Sequence, residues 1–311
     1  AVGVTALDAI TTGDHNIAIG HNALNAATTS AGNVAIGYLA GQEITTTSGR
    51  STLVGFQAGS GITSGDGSTA VGYSALETNT TGLYSTAIGA EALKALNSSG
   101  GNTPSDNTAV GFKAGTAATY GDNGTYIGSQ AGEAVTTASD NTFVGAKAGT
   151  ATTTGTQNTA VGSQALGTNT TSSNSTAVGY KALFTSNTTN ARNVAVGSGA
   201  GELTDTGVNN VFVGHGSAAT NTSGSSNTAI GYRTFQSNTV GNNNVAIGIS
   251  TLSTNVDGSK AVAIGSSALN DQEPSGATDT YNVAIGYESG KFISTSCLLY
   301  TSDAADDLTR V

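Results

Sequence analysis

A Val or Ile followed by Gly returns along this chain on a beat of 17 residues. The anchors are Gly3, Gly20, Gly37, Gly55, Gly72, Gly89, Gly111, Gly128, Gly145, Gly162, Gly179, Gly197, Gly214, Gly231, Gly248, Gly265 and Gly286. Of the 16 intervals between them, 12 are 17 residues, two are 18, and the other two are 22 and 21. Apolar and polar positions in so strict a register describe a solenoid whose turns stack on one another. Three residues before every anchor after Gly3 stands another β-branched residue, such as Ile17, Val34, Thr52, Thr69, Val245 or Val283. Residues two apart share one face of a strand, so these two rows predict two ladders of β-branched side chains. The hydrophobic reading places them inward. The core expected on that basis is Ile19, Ile36, Val54, Val71, Ile88, Val110, Ile127, Val144, Val161, Val178, Val196, Val213, Ile230, Ile247, Ile264 and Ile285.

The residue between the two ladders is usually Ala, as at Ala18, Ala70, Ala160 and Ala263, and with the anchor glycine it makes a face almost free of side chains. That face is expected against a partner chain. Leu53, Tyr126, Phe143 and Phe212 interrupt it as wedges or local patches. Past the anchor, Ala-Leu pairs such as Ala75-Leu76 alternate with Ala-Gly pairs such as Ala58-Gly59; where Gly replaces Leu, the coil is expected to be thinner or filled from a neighbouring turn. Asn stands four before the anchor in ten copies, among them Asn16, Asn33, Asn107, Asn158, Asn227 and Asn244, and predicts either a ladder of stacked amides or satisfaction of the backbone at the bend. Seventeen residues leave room for two or three short strands and too little for a βαβ unit, so the hydrogen bonds run between turns; at about 4.8 Å per turn the stack would reach about 80 Å.

The repeat occupies residues 1–290, with insertions near 97–106 and 270–280 that contain the two prolines, Pro104 and Pro274. Proline in an insertion removes no ladder hydrogen bond, and both loops are expected to stand off the shaft. Residues 291–311 leave the pattern. From Cys297 onward they resemble the conceptual translation of a sequencing-library adapter, so 297–311 is set aside as an artefact, and the start inside a repeat at Ala1 reads as a fragment.

Composition narrows the functions. Charged residues make up 10% of the chain, the net charge is -10, and the cations are scattered singly, so no basic stripe follows a nucleic-acid backbone. No run of 18 apolar residues proposes a membrane span. The single cysteine offers no disulfide framework. His15, His21 and Asp14 read as surface residues; Asp66, Asp122, Asp140, Asp205 and Asp257 sit at bends without the spacing of calcium-binding rolls. No nucleophile-base pair, phosphate loop or paired carboxylate is visible. The sequence therefore predicts no enzyme, cofactor or metal. A row of Thr eight past the anchor is too interrupted to serve as an ice-binding array. Asn-X-Ser/Thr patterns mark Asn79, Asn97, Asn123, Asn169, Asn174, Asn187 and Asn221 as candidate glycosylation acceptors at outer bends.

The unit Asn-Thr-Ala-Val-Gly, at Asn107–Gly111 and again from Asn158 with Ala165-Leu166 following, resembles the head repeats of trimeric autotransporter adhesins and the repetitive shafts of bacteriophage tail-fibre proteins. The resemblance covers residues 1–290. It implies a left-handed parallel β-roll packed side by side as a homotrimer, with Ile19, Ile36 and Val54 in the core and Ala18, Ala35 and Gly37 near the chain–chain face. The 17-residue period is longer than is usual in adhesin heads, and neither a stalk and membrane anchor nor a C-terminal chaperone domain is present in these residues. The expected fold is all-β, a parallel β-solenoid of about 17 turns. The expected function is the shaft of an extracellular, cell-surface or virion fibre that positions a binding tip. The alternatives are a surface that itself adheres to host glycans or a receptor, and the repeat subunit of a long, glycosylated extracellular filament.

Overall fold

A computed structural model describes residues 1–45, 49–64, 66–97, 106–274, 276, 278–293 and 300–301. The chain forms two compact units, Ala1–Gln157 and Asn158–Val311. Both are parallel β-solenoids. The first carries strands from β1 (Ile17–Ile19) to β8 (Thr142–Val144), and the second from β9 (Thr159–Val161) to β16 (Val283–Ile285), each three residues long. Within each unit successive strands pair in parallel and in register, Ile17 with Val34 and Ile19 with Ile36, or Val245 with Val262 and Ile247 with Ile264. A two-residue strand, β17 (Tyr300–Thr301), continues the pairing on β16 at the same 17-residue offset, although the Val/Ile-Gly pair is missing there. Pro104, with residues 98–105 of the first insertion, and Cys297 lie outside the described residues.

Each turn has one strand, not the expected two or three. The rest is a chain of bends, closed by residues in the left-handed region at two and four past the anchor, as in Ser74 (φ 53°) and Leu76 (φ 51°). Another left-handed residue stands five before the anchor, for example Asn123 and Asn243. The two left-handed residues send their N–H groups to opposite neighbours, Asn22 N–H to the Val4 carbonyl in the preceding turn and Leu24 N–H to the Ala40 carbonyl in the following one, while Ala23 N–H between them bonds Gly20 within the turn. These backbone polar groups are thus satisfied between and within turns without a second strand.

The interior reverses the sequence expectation. The middle residue of every strand from β1 to β16 is buried, and its β-branched neighbours face outward, half-buried or exposed. Ile19 is 41% exposed, Ile88 40% and Ile285 48%, while Ala18, Ala87 and Ala284 are fully buried. Ile36, Ile127, Val161, Val196 and Ile230 are likewise exposed, and Val54, Val71, Val110, Val144, Val178, Val213, Ile247 and Ile264 half-buried. None of these 16 residues is the core of the coil. The reason is volume: one 17-residue loop encloses little space, and Ala together with the leucine four past the anchor already fills it.

The same limit explains the wedges. Leu53, Tyr126, Phe143 and Phe212 all lie inside, and glycines make room for them. A Cβ on Gly41 would stand 2.7 Å from the Leu53 side chain, one on Gly115 2.7 Å from Tyr126, and one on Gly201 2.7 Å from Phe212. Each of these glycines belongs to the turn before its wedge, so the space is filled from a neighbouring turn, as the Ala-Gly pairs suggested. The Tyr126 hydroxyl is buried without a hydrogen-bond partner, and burial pushes its pKa upward. Tyr126→Phe is expected to keep or raise the thermal midpoint, by up to about 1 kcal/mol of stability, since it removes a desolvated donor with no bond to lose. A lowered midpoint would show that the hydroxyl is satisfied.

The asparagines four before the anchor behave as expected. Asn227 donates from Nδ2 to the Gly241 carbonyl (2.8 Å) and accepts from the Asn244 N–H (2.9 Å), and Asn107 and Asn210 repeat the arrangement in their own turns. The second insertion, in its described residues, does not stand off the coil. Gln272 and Thr280 are buried, the Asn282 amide donates to Gln272 Oε1 (2.8 Å), and Lys260 pairs with Asp279 (2.7 Å).

Candidate functional site

Because the small-residue face is interior, it is not a surface for a partner. The Ala side chains fill the coil, and the anchor glycines face their own counterparts one turn on: a Cβ on Gly72 would lie 2.5 Å from the Gly89 carbonyl oxygen. What each unit offers instead is the outward face of its strands. In the first unit this runs from Ile17 and Ile19 through Val34 and Ile36 to Thr142 and Val144; in the second, from Thr159 and Val161 to Val283 and Ile285. Both are two-ladder stripes of β-branched side chains open to solvent. In the first unit the outer ladder is threonine from Thr52 to Thr142, so its contiguous apolar row is the Val/Ile ladder beside the anchor glycines. In the second unit most rungs of both ladders are Val or Ile, and a contiguous apolar surface marks an interaction site more often than a solvated face.

Beside that stripe stands a row that the sequence reading missed. The residue directly after the anchor is aromatic in many turns, and in the first unit His21, Tyr38, Phe56 and Tyr73 stack face to face with centroids 5.4, 4.9 and 5.5 Å apart. In the second unit His215 stacks on Tyr232 at 5.5 Å, and Tyr180 lies two turns before His215 with Ser198 between them. The signal was present as a column in the repeat alignment.

Cations line this column from the next position. Arg233 lies over the Tyr232 ring at 5.2 Å and Lys181 over Tyr180 at 5.6 Å. Three lysines pair across turns with glutamates: Lys94 with Glu77 (3.3 Å), Lys113 with Glu91 (4.0 Å) and Glu133 (3.9 Å), Lys181 with Glu202 (3.4 Å). Arg233 has no carboxylate partner among the described residues.

The candidate acceptor asparagines divide. Asn79, Asn169 and Asn221 are fully buried, and each amide donates to a carbonyl three residues on: Gly82 (3.1 Å), Ser172 (3.3 Å) and Gly224 (3.0 Å). The position seven past the anchor is therefore an inner bend, and no glycosylating enzyme could reach these side chains in the folded coil. Asn97 is half-buried and accepts from the Thr80 hydroxyl (2.9 Å); Asn123, Asn174 and Asn187 are exposed. The threonine row is likewise committed to stacking, since Thr119 and Thr136 each donate to the carbonyl of the next residue in the row (3.0 Å).

The bend carboxylates serve neighbouring turns. Asp66 binds Arg50 (2.7 Å), Asp140 accepts from Asn123 (3.0 Å) and Asp205 from Asn187 (2.9 Å). Asp14 and His15 pair at 3.1 Å on the surface, apart from His21, which belongs to the aromatic stack. Among the described residues no group of three or more His, Cys, Asp or Glu could hold a metal ion, and no helix is long and apolar enough to cross a membrane.

Asp122 departs upward from the usual carboxylate pKa, through partial burial and then the charges of Asp106 and Asp140. A carboxyl with a raised folded pKa destabilises the fold once ionised: stability falls as pH rises from the ordinary Asp range through the raised value, and stays lower above it. Asp122→Asn is accordingly expected to melt higher than the parent protein at neutral pH, with the gain vanishing near pH ~3. A gain of equal size at both pH values would assign the effect to something other than charge.

No family model, no curated protein and no solved structure matches this chain.

Proposed function

We propose that the chain is the shaft of an extracellular or virion fibre, and that it self-associates side by side as a homotrimer. The observation that carries this reading is the outward β-branched stripe, repeated turn after turn within each unit. A monomer would leave those ladders in water at about 25 cal/mol per Å² of apolar surface, while side-by-side copies would cover them. Stacked turns joined by backbone hydrogen bonds at the strand and at the bends suit a part that resists unfolding and proteolysis. Sugars, where the host adds them, would attach at Asn123, Asn174 and Asn187.

Sedimentation of the purified chain tests the assembly. The parent protein should run at three times the 30.4 kDa chain mass. A variant with Ile36→Glu and Ile230→Glu should run as a monomer with an unchanged circular dichroism spectrum, because both side chains already face outward. A monomeric parent, or an open filament, would overturn the trimer.

A second reading, direct adhesion to glycans, is favoured by the exposed aromatic column, with Tyr38, Phe56 and Tyr73 between 44% and 52% exposed. Aromatic faces stack on the C–H faces of sugar rings, and nothing in the coil's own packing calls for large rings at this position.

A further inference from the structure

Between Tyr180 and His215 the aromatic column lacks one rung. Ser198 occupies that rung, and the position beside it, which carries Lys181 in the preceding turn and Arg233 two turns after Ser198, is glycine in both intervening turns, Gly199 and Gly216. The missing side chains leave a cleft of about 280 Å³, lined by Tyr180, Lys181, Glu202, His215 and Arg233 around the Ser198 and Gly199 floor. Two turns of about 4.8 Å separate the flanking rings by roughly 10 Å, so a ring inserted midway would meet both at the spacing the column itself keeps. His215 already stacks one face on Tyr232, which leaves its other face to the cleft.

We propose that this cleft binds a carboxylated pyranose, such as a uronic acid residue of a surface polysaccharide, as the missing rung of the column. The Tyr180 and His215 faces take the two faces of the sugar ring, and Arg233 takes the carboxylate. The charges choose the ligand. Lys181 is held by Glu202 at 3.4 Å and lies over Phe184 at 5.3 Å, so its charge is partly committed. Arg233 has only the Tyr232 ring beneath it, and its planar fork suits a bidentate carboxylate. A second interruption of the column, Ala90 between Tyr73 and Phe112, shows what a closed rung looks like. There Glu91 fills with a side chain the position that Gly199 leaves empty, and it pairs with Lys113 at 4.0 Å.

The inference draws its biological setting from the adhesion reading and needs no particular number of chains. The glycines permit a clean variant. Gly199 adopts φ 66°, and a Cβ there meets nothing nearer than Glu202 Oε2 at 3.4 Å; Gln130 and Gln164 occupy the equivalent position at φ 60°. Gly199→Gln should therefore fill the cleft and leave the coil intact.

The test is a titration of the assembled full-length chain with sodium D-glucuronate, followed by the shift of one of its three histidine signals in proton NMR. D-glucose and N-acetylneuraminate are run in parallel. The expected result is saturable binding of glucuronate at millimolar concentration, on the order of 1 mM, with glucose at least tenfold weaker. Arg233→Gln should weaken glucuronate at least tenfold, and Gly199→Gln should abolish its binding with unchanged sedimentation and circular dichroism. Binding of both acids extends the site to carboxylated pyranoses in general, and glucuronate alone narrows it to uronic acids. The proposal falls if no histidine signal moves, if Gly199→Gln binds as the parent does, or if glucose binds equally well. Sedimentation in the same samples reports the trimer independently, so either reading can fail alone.

Discussion

Gly89→Ala is expected to cost at least ~3 kcal/mol and to abolish cooperative folding of the turns around it. Gly89 sits at φ 132°, where only glycine is comfortable, and a Cβ there would lie 2.5 Å from the Gly111 carbonyl oxygen of the next turn. Neither partner can yield. The oxygen belongs to backbone locked in the ladder, and Gly111 N–H is itself bonded to Ile88 (2.7 Å). Since each turn stabilises only its neighbours, one disrupted step splits a cooperative unit into two shorter ones. Calorimetry should show a lowered and broadened transition for Gly89→Ala, against a parent-like transition for Gly199→Gln. If the two variants melt alike, backbone approach at the anchor is not what demands glycine.

Phe212→Ala should lose about 3–5 kcal/mol, the usual cost of removing a buried phenyl ring, and Gly201→Leu in the same chain should recover much of it. Phe212 is fully buried and leans into the turn before its own, over Gly201. The double variant converts that turn to the Ala-Leu filling used elsewhere. Gly201 already has φ 57°, close to the φ 47° of Leu183 directly before it in the row, and consecutive leucines stack in the same way at Leu76 and Leu93. Gly201→Leu alone should destabilise, because its side chain would collide with Phe212. Opposite signs for the same substitution in the two backgrounds, read from chemical denaturation, would establish that wedge and glycine share one volume. Additive losses would mean that they do not.

The exchange of volume between Phe212 and Gly201 shows how far the repeat could be read without coordinates. The unusual residues and the positions left small were both visible in the sequence, as was the need for a neighbouring turn to fill a position left small, but not that these residues do the filling. Their side of the strand was not. The aromatic column after the anchor was equally visible at His21, Tyr38, Phe56 and Tyr73, yet its meaning depends on ring stacking across turns. The cleft at Ser198 needs the three-dimensional register to bring Lys181 and Arg233 to its two ends.

What the sequence determined by itself is everything that follows from the period. A 17-residue repeat with β-branched residues two apart requires short strands stacked from turn to turn, though it left room for two or three per turn where the structure has one, and the Asn row requires side chains that serve the stack. Alternation states which residues share a face, but it is symmetric between inside and outside. Hydrophobicity broke that symmetry in favour of Val and Ile. The tertiary structure broke it the other way, because the interior of so narrow a coil admits an alanine and a leucine, or one aromatic ring and a glycine, and no second row of branched side chains. Enclosed volume, a property of the closed turn and of no residue singly, turned the expected core outward and made it the surface through which the chain is proposed to assemble.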